Sequence, residues 1–457
     1  MNSPPPRVVV VGGGLSGLAA AVRIREAVPG STVTVLEERA RPGGNVRTIG
    51  RDGFVVEAGP NGFLDNNPAT IDLCRDVGLG SLLIPASTGS RKNRFLYLND
   101  RLQKLPASPL GILTTPVLSV RGRLALLGEP FRRPGGSVPA DESVAEFARR
   151  RFGREAADTF VDALVTGIHG GDPERLSLRA AFPRLAKYEA EAGSVLRGVL
   201  RAKKKGAGPT CLWSFREGLQ TLTDTLATSL GLTVTCGVGV KRIEKAESGW
   251  LVVGEGTENW DADAVVLTAP AYRQAELIAD LDATLANEMA GIPYNRIAVV
   301  ALGYRQSDVP DRPDGFGYIA PQRTRRDVLG VQWCSQIFPG RAPNGCVLWR
   351  ALCGGVSRDD VCDWSDETLA KAVHEEMKHV LGATGEPVFR EIVRWPRAIP
   401  QYVLGHPDRV ARIESRAVLH PGLFLGGNAY RGIALNDCSQ RGREIATSVA
   451  EYLLARA

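Results

Sequence analysis

Residues 7–44 constrain this chain more than any other stretch. Arg7–Val11 is a short apolar run ending in Gly12-Gly13-Gly14-Leu15-Ser16-Gly17. A small-residue helical stretch follows from Leu18 to about Val28, and a second apolar run, Val33 to Leu36, stops at Glu37. Strand, glycine turn, helix, strand and acid in this register have the spacing of a dinucleotide-binding βαβ unit. Gly12 allows the tight turn out of the strand, Gly14 lets backbone approach a pyrophosphate, and Gly17 lets the helix pack closely on the sheet. The helix N-terminus offers unpaired N–H groups and a partial positive charge to phosphates. The run Gly12, Gly13, Gly14, Leu15, Ser16 and Gly17 is therefore assigned to the cofactor, and Glu37 can accept hydrogen bonds from a ribose diol. A glycine turn alone could bind nothing; the strand, helix and terminal acid in register argue against that.

The next residues separate flavin from nicotinamide chemistry. Glu37-Glu38-Arg39-Ala40-Arg41-Pro42-Gly43-Gly44 is an acid followed by Arg-x-Gly-Gly. It resembles the FAD-dependent amine oxidase superfamily, which includes phytoene desaturases and protoporphyrinogen oxidases. That resemblance assigns Glu38, Arg41, Gly43, Gly44 and Asn45 to the cofactor. Near the C-terminus, Leu423 to Asn428 reads as a strand entering a glycine turn. Gly432-Ile433-Ala434-Leu435-Asn436-Asp437-Cys438 opens a helix running to about Leu454. A helix start aimed at the isoalloxazine would stabilise negative charge on reduced flavin, which adds Gly427, Asn428, Ile433, Ala434 and Leu435. Val240, in the run Gly239 to Ile243, and Ala269, at the end of the apolar run Ala264 to Pro270, complete the nucleotide side.

Further segments narrow the resemblance to protoporphyrinogen oxidases. They are Phe54 to Phe63 (containing Glu57-Ala58-Gly59-Pro60-Asn61-Gly62-Phe63), Asn93 to Tyr97, Gly167 to Pro173 with Leu176-Ser177, Trp395 to Tyr402 with Gly405-His406, and Asn436-Asp437-Cys438. Together they span essentially the whole chain. The resemblance implies FAD-dependent oxidation of protoporphyrinogen IX to protoporphyrin IX in haem biosynthesis, with six electrons removed through the flavin to oxygen and the product handed over to ferrochelatase. Porphyrinogen methylene bridges are activated by flanking pyrroles, so hydride can leave without a strong base, and no triad and no metal are expected. The resemblance also gives Arg94 the role of pairing with a substrate propionate, a task suited to a guanidinium. It places Asn61, with Gly59, Pro60 and Gly62, near flavin and reacting bridge, Gly167 against the macrocycle, and Trp395 by the flavin. Ala398 stands near the position where amine oxidases carry a flavin-linking cysteine, so the FAD is expected to be non-covalent.

One departure bears on the substrate. Gln332 and Leu352 fall on strands expected to line an apolar pocket, and a polar group there is costly unless satisfied. Gln332 makes coproporphyrinogen III, with propionates where protoporphyrinogen has vinyls, the alternative substrate. An FAD amine oxidase or carotenoid desaturase is the second alternative, although Tyr430 is the one aromatic that Asn428-Ala429-Tyr430 offers to an amine cage. A non-catalytic flavoprotein is the third.

The rest of the chain sets bounds. At 457 residues it suits two or three domains. The expected class is α/β with α+β insertions: a discontinuous Rossmann-like FAD-binding domain (1–90, 206–280 and 393–457), a mixed-sheet substrate domain (91–105 and 281–392), and a helical, membrane-associating domain (106–205). No second Gly-x-Gly-x-x-Gly follows a strand, so oxygen is the simplest electron acceptor. No apolar run reaches transmembrane length, and Met1 to Pro6 has no signal-peptide character, which points to a cytoplasmic protein. The eight cysteines include no Cys-x-x-Cys pair, as expected for reduced thiols. His374 and His379 are five apart, the wrong interval for sharing a metal on a helix, and that segment reads as a solvated helix face.

The net charge is +6, with basic clusters at Arg149–Arg151, Lys203–Lys205 and Arg323–Arg326. Each reads singly as solvated surface; together they permit attraction to acidic phospholipid. Leu110 to Arg133 alternates apolar clusters with arginines and reads equally as an interfacial surface or a packed lid. No aromatic-interleaved basic motif suggests nucleic acid. The expected site is the cytoplasm or the cytoplasmic face of the membrane, and the sequence admits a homodimer without setting the oligomeric state.

Overall fold

The computed structural model describes residues 4–106, 109–132, 141–204, 210–229, 231–310, 313–324 and 326–456. Arg133, Pro134, Lys205 and Arg325 lie outside the described residues, as do Met1 and the basic linker from Lys205 onward to residue 209.

The βαβ unit forms as its spacing requires. Arg7–Val11 leads through the turn into the helix Leu15–Ala27 and returns along Thr32–Glu37. The two strands pair in parallel, Val8 beside Val33 and Val11 beside Leu36. Ala264–Leu267 adds to the other side of the first strand, Leu232–Cys236 flanks Thr32–Glu37, and Leu423–Leu425 closes the far edge. The result is a five-stranded parallel sheet with the first strand at its centre. Its strands Arg7–Val11 and Ala264–Leu267 are apolar runs buried on both faces, while Thr32–Glu37 and the edge strand Leu232–Cys236 alternate with threonine. The C-terminal helix Leu435–Leu454 packs along Leu15–Ala27. The contact is close enough that a Cβ on Gly442 would lie 2.8 Å from Cβ of Ala19.

A second, seven-stranded sheet stands beside this one. In order it runs Phe389–Trp395, Ile297–Arg305, Cys346–Gly354, Val328–Gln332, Gly317–Ile319, Phe95–Leu98 and Arg101–Lys104. All neighbours are antiparallel except Gly317–Ile319 with Phe95–Leu98. Helix Asp366–Leu381 covers one face, burying Leu369, Val373, Met377 and Leu381 against Val300, Leu302, Tyr304 and Trp349. The other face carries Ile297, Val299, Leu352 and Val393 toward Ala58, Trp395 and Ala398.

That helix corrects one expectation. The segment holding His374 and His379 is only partly a solvated face: Glu375, Lys378 and His379 are exposed, but His374 and Glu376 are not. His374 is buried and its Nδ1 meets the Tyr304 hydroxyl at 2.9 Å, while His379 Nε2 meets the Tyr97 hydroxyl at 2.8 Å. Glu376, between them, accepts from the Tyr318 hydroxyl at 2.9 Å and from Arg326. The polar residues belong to the sheet-facing side because partners from distant strands satisfy them.

Between the sheets' domains lies a helical region built on Leu118, Leu126, Val144, Phe147, Phe152, Val165, Leu176 and Val195. Its helix Val144–Phe152 opens on a capping box, with Ser143 Oγ accepting from the Glu146 N–H and the Glu146 carboxylate accepting from the Ser143 N–H. Here too an expectation fails in part, since Arg149 is exposed but Arg150 and Arg151 are not. Arg151 is fully buried and paired with Glu129, and Arg150 is held by Glu142 and Glu189. The carboxylates come from elements far apart in sequence. Among the described residues no helix is long and apolar enough to cross a membrane, and no His/Cys/Asp/Glu group could hold a metal ion. The cysteines remain free thiols.

Candidate active site

The nucleotide cradle is built almost wholly from backbone. Gly12 takes φ +111°, and a Cβ on Gly17 would lie 2.0 Å from the Gly12 carbonyl oxygen, so no larger residue fits this turn. The Gly43 N–H donates to the Gly13 carbonyl at 2.7 Å. This brings the Arg-x-Gly-Gly turn onto the glycine loop, where Gly14 and Gly43 form a bridge. The Glu37 carboxylate is buried and accepts from the N–H groups of Gly13 (2.8 Å) and Arg39 (3.0 Å). Leu15 and Ser16 are buried in the first helical turn. Val240 is buried at the start of Val240–Ala246, and the Ala269 N–H donates to the Val11 carbonyl at 3.1 Å. Gln274, which carried no sequence signal, ties Ala269 to Gly426 by donating to both carbonyls, at 2.6 and 2.9 Å. That places Gly427 and Asn428 beside the glycine loop.

A second layer continues from the cradle. Arg41 donates to the carbonyls of Pro42, Gly44 and Val46 and so braces the loop; Glu38 is exposed and faces Arg273. A Cβ on Gly59 would lie 1.9 Å from the Asn45 carbonyl oxygen, and one on Gly62 would lie 2.6 Å from that of Trp213. Asn45 Nδ2 reaches the Ala398 carbonyl at 3.4 Å, and Trp395 Nε1 donates to the Ala58 carbonyl at 2.7 Å. The segments 43–47, 57–62 and 395–398 are thus one knitted surface, with Pro60 half-buried in it. Asn61 lies buried there, and its Nδ2 has no hydrogen-bond partner. The start of the C-terminal helix arrives at the same surface. Asn436 Nδ2 donates to the Leu64 carbonyl at 2.6 Å while its Oδ1 has no partner. Ile433, Ala434 and Leu435 form the approach, with the Ala434 N–H held by Asp437. A glycine cradle that any Cβ would fill, followed by orphaned amides at its far end, fits a dinucleotide whose second half needs polar partners.

The opposite wall is the large sheet, and its register shows what separate motifs cannot. Gly317 pairs with Gln332, and Gln332 with Arg350. Tyr318 pairs with Phe95, so Arg94 stands one residue ahead, beside Gly317. Gly317, Gln332 and Arg350 therefore form one row across three strands, with Arg94, the residue leading into Phe95–Leu98, at its end. Gly317 leaves a gap about 10 Å wide, two strand spacings, between Arg94 and Gln332. The Arg94 guanidinium lies over the Phe316 ring, 4.9 Å from its centroid. It has no carboxylate partner among the described residues, and burial lowers its pKa. Gln332 Oε1 is buried without a hydrogen-bond partner. Leu352 lies two residues along from Arg350, in the apolar group with Ala58, Trp395 and Ala398. Gly167, on the last turn of helix Asp162–His169, is exposed and faces Ile319 of the same sheet, where a Cβ would come within 2.6 Å of Ile319 Cδ1.

Asn295, which carried no sequence signal, and Gln401, which the sequence showed only as part of the Trp395 to Tyr402 segment, hold that loop. Asn295 Nδ2 donates to the carbonyls of His169 (2.8 Å) and Gly170 (3.1 Å), and its Oδ1 accepts from the Ile399 N–H. Gln401 Nε2 also donates to the His169 carbonyl, at 3.0 Å. The His169 ring is buried edge-on to Phe182, its nitrogens have no partner, and burial pushes its pKa down to about 4. Amide side chains that bond only to distant carbonyls leave no pattern in a sequence.

Comparison with known proteins identifies the family and the fold. Residues 15–450 fit the family described as flavin containing amine oxidoreductase. The coproporphyrinogen III oxidase of Bacillus subtilis is 29% identical over 476 residues, covering 100% of both chains. The chloroplastic protoporphyrinogen oxidase of Oryza sativa subsp. japonica is 30% identical, over 97% of this chain and 88% of its own. Among solved structures, a candidate protoporphyrinogen oxidase from Exiguobacterium sp. 255-15 superposes with a TM-score of 0.85 at 27% identity, covering 99% of each chain. Cyclohexylamine oxidase from Brevibacterium oxydans, at 18% identity and a TM-score of 0.71, shares the fold.

Proposed function

Because the chain belongs to the flavin containing amine oxidoreductase family and is a flavin-dependent oxidoreductase, we propose that it oxidises a porphyrinogen to the porphyrin with FAD and oxygen, coproporphyrinogen III being its preferred substrate. The observation that carries this reading is the row on the substrate wall. A guanidinium without a carboxylate partner and an amide with an unpaired carbonyl face each other across a glycine gap. Arg94 binds a propionate as a charge-assisted, bidentate donor. Gln332, which a vinyl group would leave unsatisfied, turns its amide toward a second polar substituent. Sequence alone ranks protoporphyrinogen IX first; the unsatisfied Arg94 and Gln332 of this row favour the propionate-rich substrate, and the full-length similarity to a coproporphyrinogen III oxidase supports it.

Bound FAD supplies a hydride acceptor. Gly12 to Gly17 would take its pyrophosphate, Glu37 its ribose, and Asn61, Trp395 and the start of the C-terminal helix would line its flavin end. Gly167 lets the 167–171 loop approach the macrocycle, and the Asn295 and Gln401 amides hold that loop in place. An amine oxidase reading has no support at Tyr430, which is buried with its hydroxyl donated to Gln274 at 2.8 Å and so does not form a cage. The same proposal assigns the exposed Val120, Leu124 and Phe131 to peripheral contact with acidic lipid, for which failure to co-sediment with acidic liposomes at low salt is the contrary result.

The test is porphyrin fluorescence from the FAD-loaded protein in air, given coproporphyrinogen III or protoporphyrinogen IX. Porphyrin formation above the non-enzymatic rate is the expected outcome. Bound flavin with no porphyrin from either substrate overturns the reading.

A further inference from the structure

Behind the 57–62 segment lies a charge imbalance that substrate binding does not explain. Glu57, Arg341 and Arg350 are 2%, 1% and 3% exposed. The Glu57 carboxylate accepts from the Leu219 N–H at 2.9 Å and the Thr48 hydroxyl at 2.8 Å, and pairs with Arg341 at 3.1 Å. Arg341 also donates to Ser214 Oγ at 2.9 Å, yet its Nε and Nη1 have no partner. Arg350 spends Nη1 on the Glu57 carbonyl at 2.8 Å and leaves Nε unpaired. Two guanidinium groups therefore share one carboxylate in the interior. Burial pushes the Glu57 carboxyl up, against the pull of Arg341; its protonation would only enlarge the excess.

An uncompensated buried cation is among the costliest features a fold can carry. Its position shows what could compensate it. Arg350 holds the carbonyl of Glu57, and Trp395 holds that of the next residue, Ala58. The cluster and Trp395 thus grip successive peptides of the segment that leads to Asn61.

We propose that Arg341 and Arg350 form a buried cationic pair that raises the reduction potential of the flavin held at this segment, with Glu57 moderating it. Resting on the proposed flavin oxidation, this makes Arg350 a positioning and electrostatic residue, its guanidinium turned to the Glu57 carbonyl. The redox step is unchanged: a substrate carbon gives up a hydride to the flavin and a proton follows to solvent, and oxygen takes the two electrons and two protons as hydrogen peroxide. A fixed positive charge in a low-dielectric site favours the reduced, more negative side of that equilibrium.

The test is the two-electron midpoint potential of the FAD-loaded protein, measured against reference dyes. Arg350→Met should lower it by at least a tenfold change in the equilibrium constant, which is 29.6 mV for a two-electron couple. Arg350→Lys, which keeps the charge, should stay within that margin of wild type. Glu57→Gln should move the potential in the opposite direction, upward. An unshifted potential in Arg350→Met, or a lowered one in Glu57→Gln, overturns the proposal; should Arg350→Met not fold, Glu57→Gln alone decides it. A wild-type protein that binds no FAD would instead sink the functional reading beneath it.

Discussion

The two walls of the cleft are made in different ways. Around the glycine loop, polar groups are satisfied before any ligand arrives: Glu37 holds the N–H groups of Gly13 and Arg39, and Arg41 holds three loop carbonyls; at the flavin end the Asn61 and Asn436 amides are left incomplete. What recognises the ligand there is shape, set by glycines that nothing larger can replace. On the sheet wall the side chains are left wanting. Among the described residues Arg94 has no carboxylate partner and Gln332 Oε1 has no hydrogen-bond partner. A preformed cradle suits a cofactor that stays, and an unsatisfied wall suits a substrate that comes and goes.

The largest effect should follow from breaking the cradle. In Gly17→Val the new Cβ would meet the Gly12 carbonyl at 2.0 Å, overpacking that costs about 3 kcal/mol or more. Flavin absorbance per mole of purified protein should fall to near zero; retained flavin would show the turn to be more yielding than its geometry implies. Arg94→Ala acts on the other wall alone. Losing a charge-assisted hydrogen bond of about 1.5–3 kcal/mol should raise KM roughly 10- to 100-fold in steady-state assays, with flavin content unchanged. A loss of flavin in that variant would erase the distinction between the walls.

A subtler test concerns the helix that carries Gly167. His169 is neutral in its buried site, its pKa pushed from 6.5 to about 4 by burial. Its contribution to stability is present above pH 6.5 and is lost as pH falls through about 4, amounting to about 3 kcal/mol at 1.36 kcal/mol per unit. On the same helix, burial raises Asp162 from 3.8 to about 6, so its contribution runs the other way, present below 3.8 and lost as pH rises through about 6. His169→Asn should therefore flatten the acid limb of a denaturation-versus-pH curve and expose the opposing slope of Asp162. The smallest effect belongs to the surface: Arg149 and Glu174 pair with side chains 42% and 49% exposed, and Arg149→Ala should cost about 0.5 kcal/mol or less in urea unfolding.

The same contrast explains what could be read from the sequence. The cradle is local, so glycine spacing and a terminal acid were enough to place Gly12 to Gly17 and Glu37, and the helix ending at Leu454 was visible from its own pattern. Long-range pairing was not. Nothing adjacent to Arg94 announces Gln332 or Arg350, and their alignment appears only when the strands take their order. Buried polar residues misled for the same reason: the helix bearing His374 and His379 looks solvated until Tyr97, Tyr304 and Tyr318 are brought beneath it, and Arg151 looks like surface until Glu129 reaches it. Asn295 bonds to backbone groups, which every residue possesses, and so left no signal, and Gln401 stood in a recognised segment without its role being visible.

The most direct measurement is the ratio of kcat/KM for coproporphyrinogen III to that for protoporphyrinogen IX, in wild type and in Gln332→Leu. If the sheet wall reads polar substituents through its unsatisfied groups, wild type favours coproporphyrinogen III and Gln332→Leu lowers the ratio about tenfold, the effect of one hydrogen bond of about 1.4 kcal/mol. A wild-type preference for protoporphyrinogen IX, or a ratio that Gln332→Leu leaves unmoved, would contradict the account.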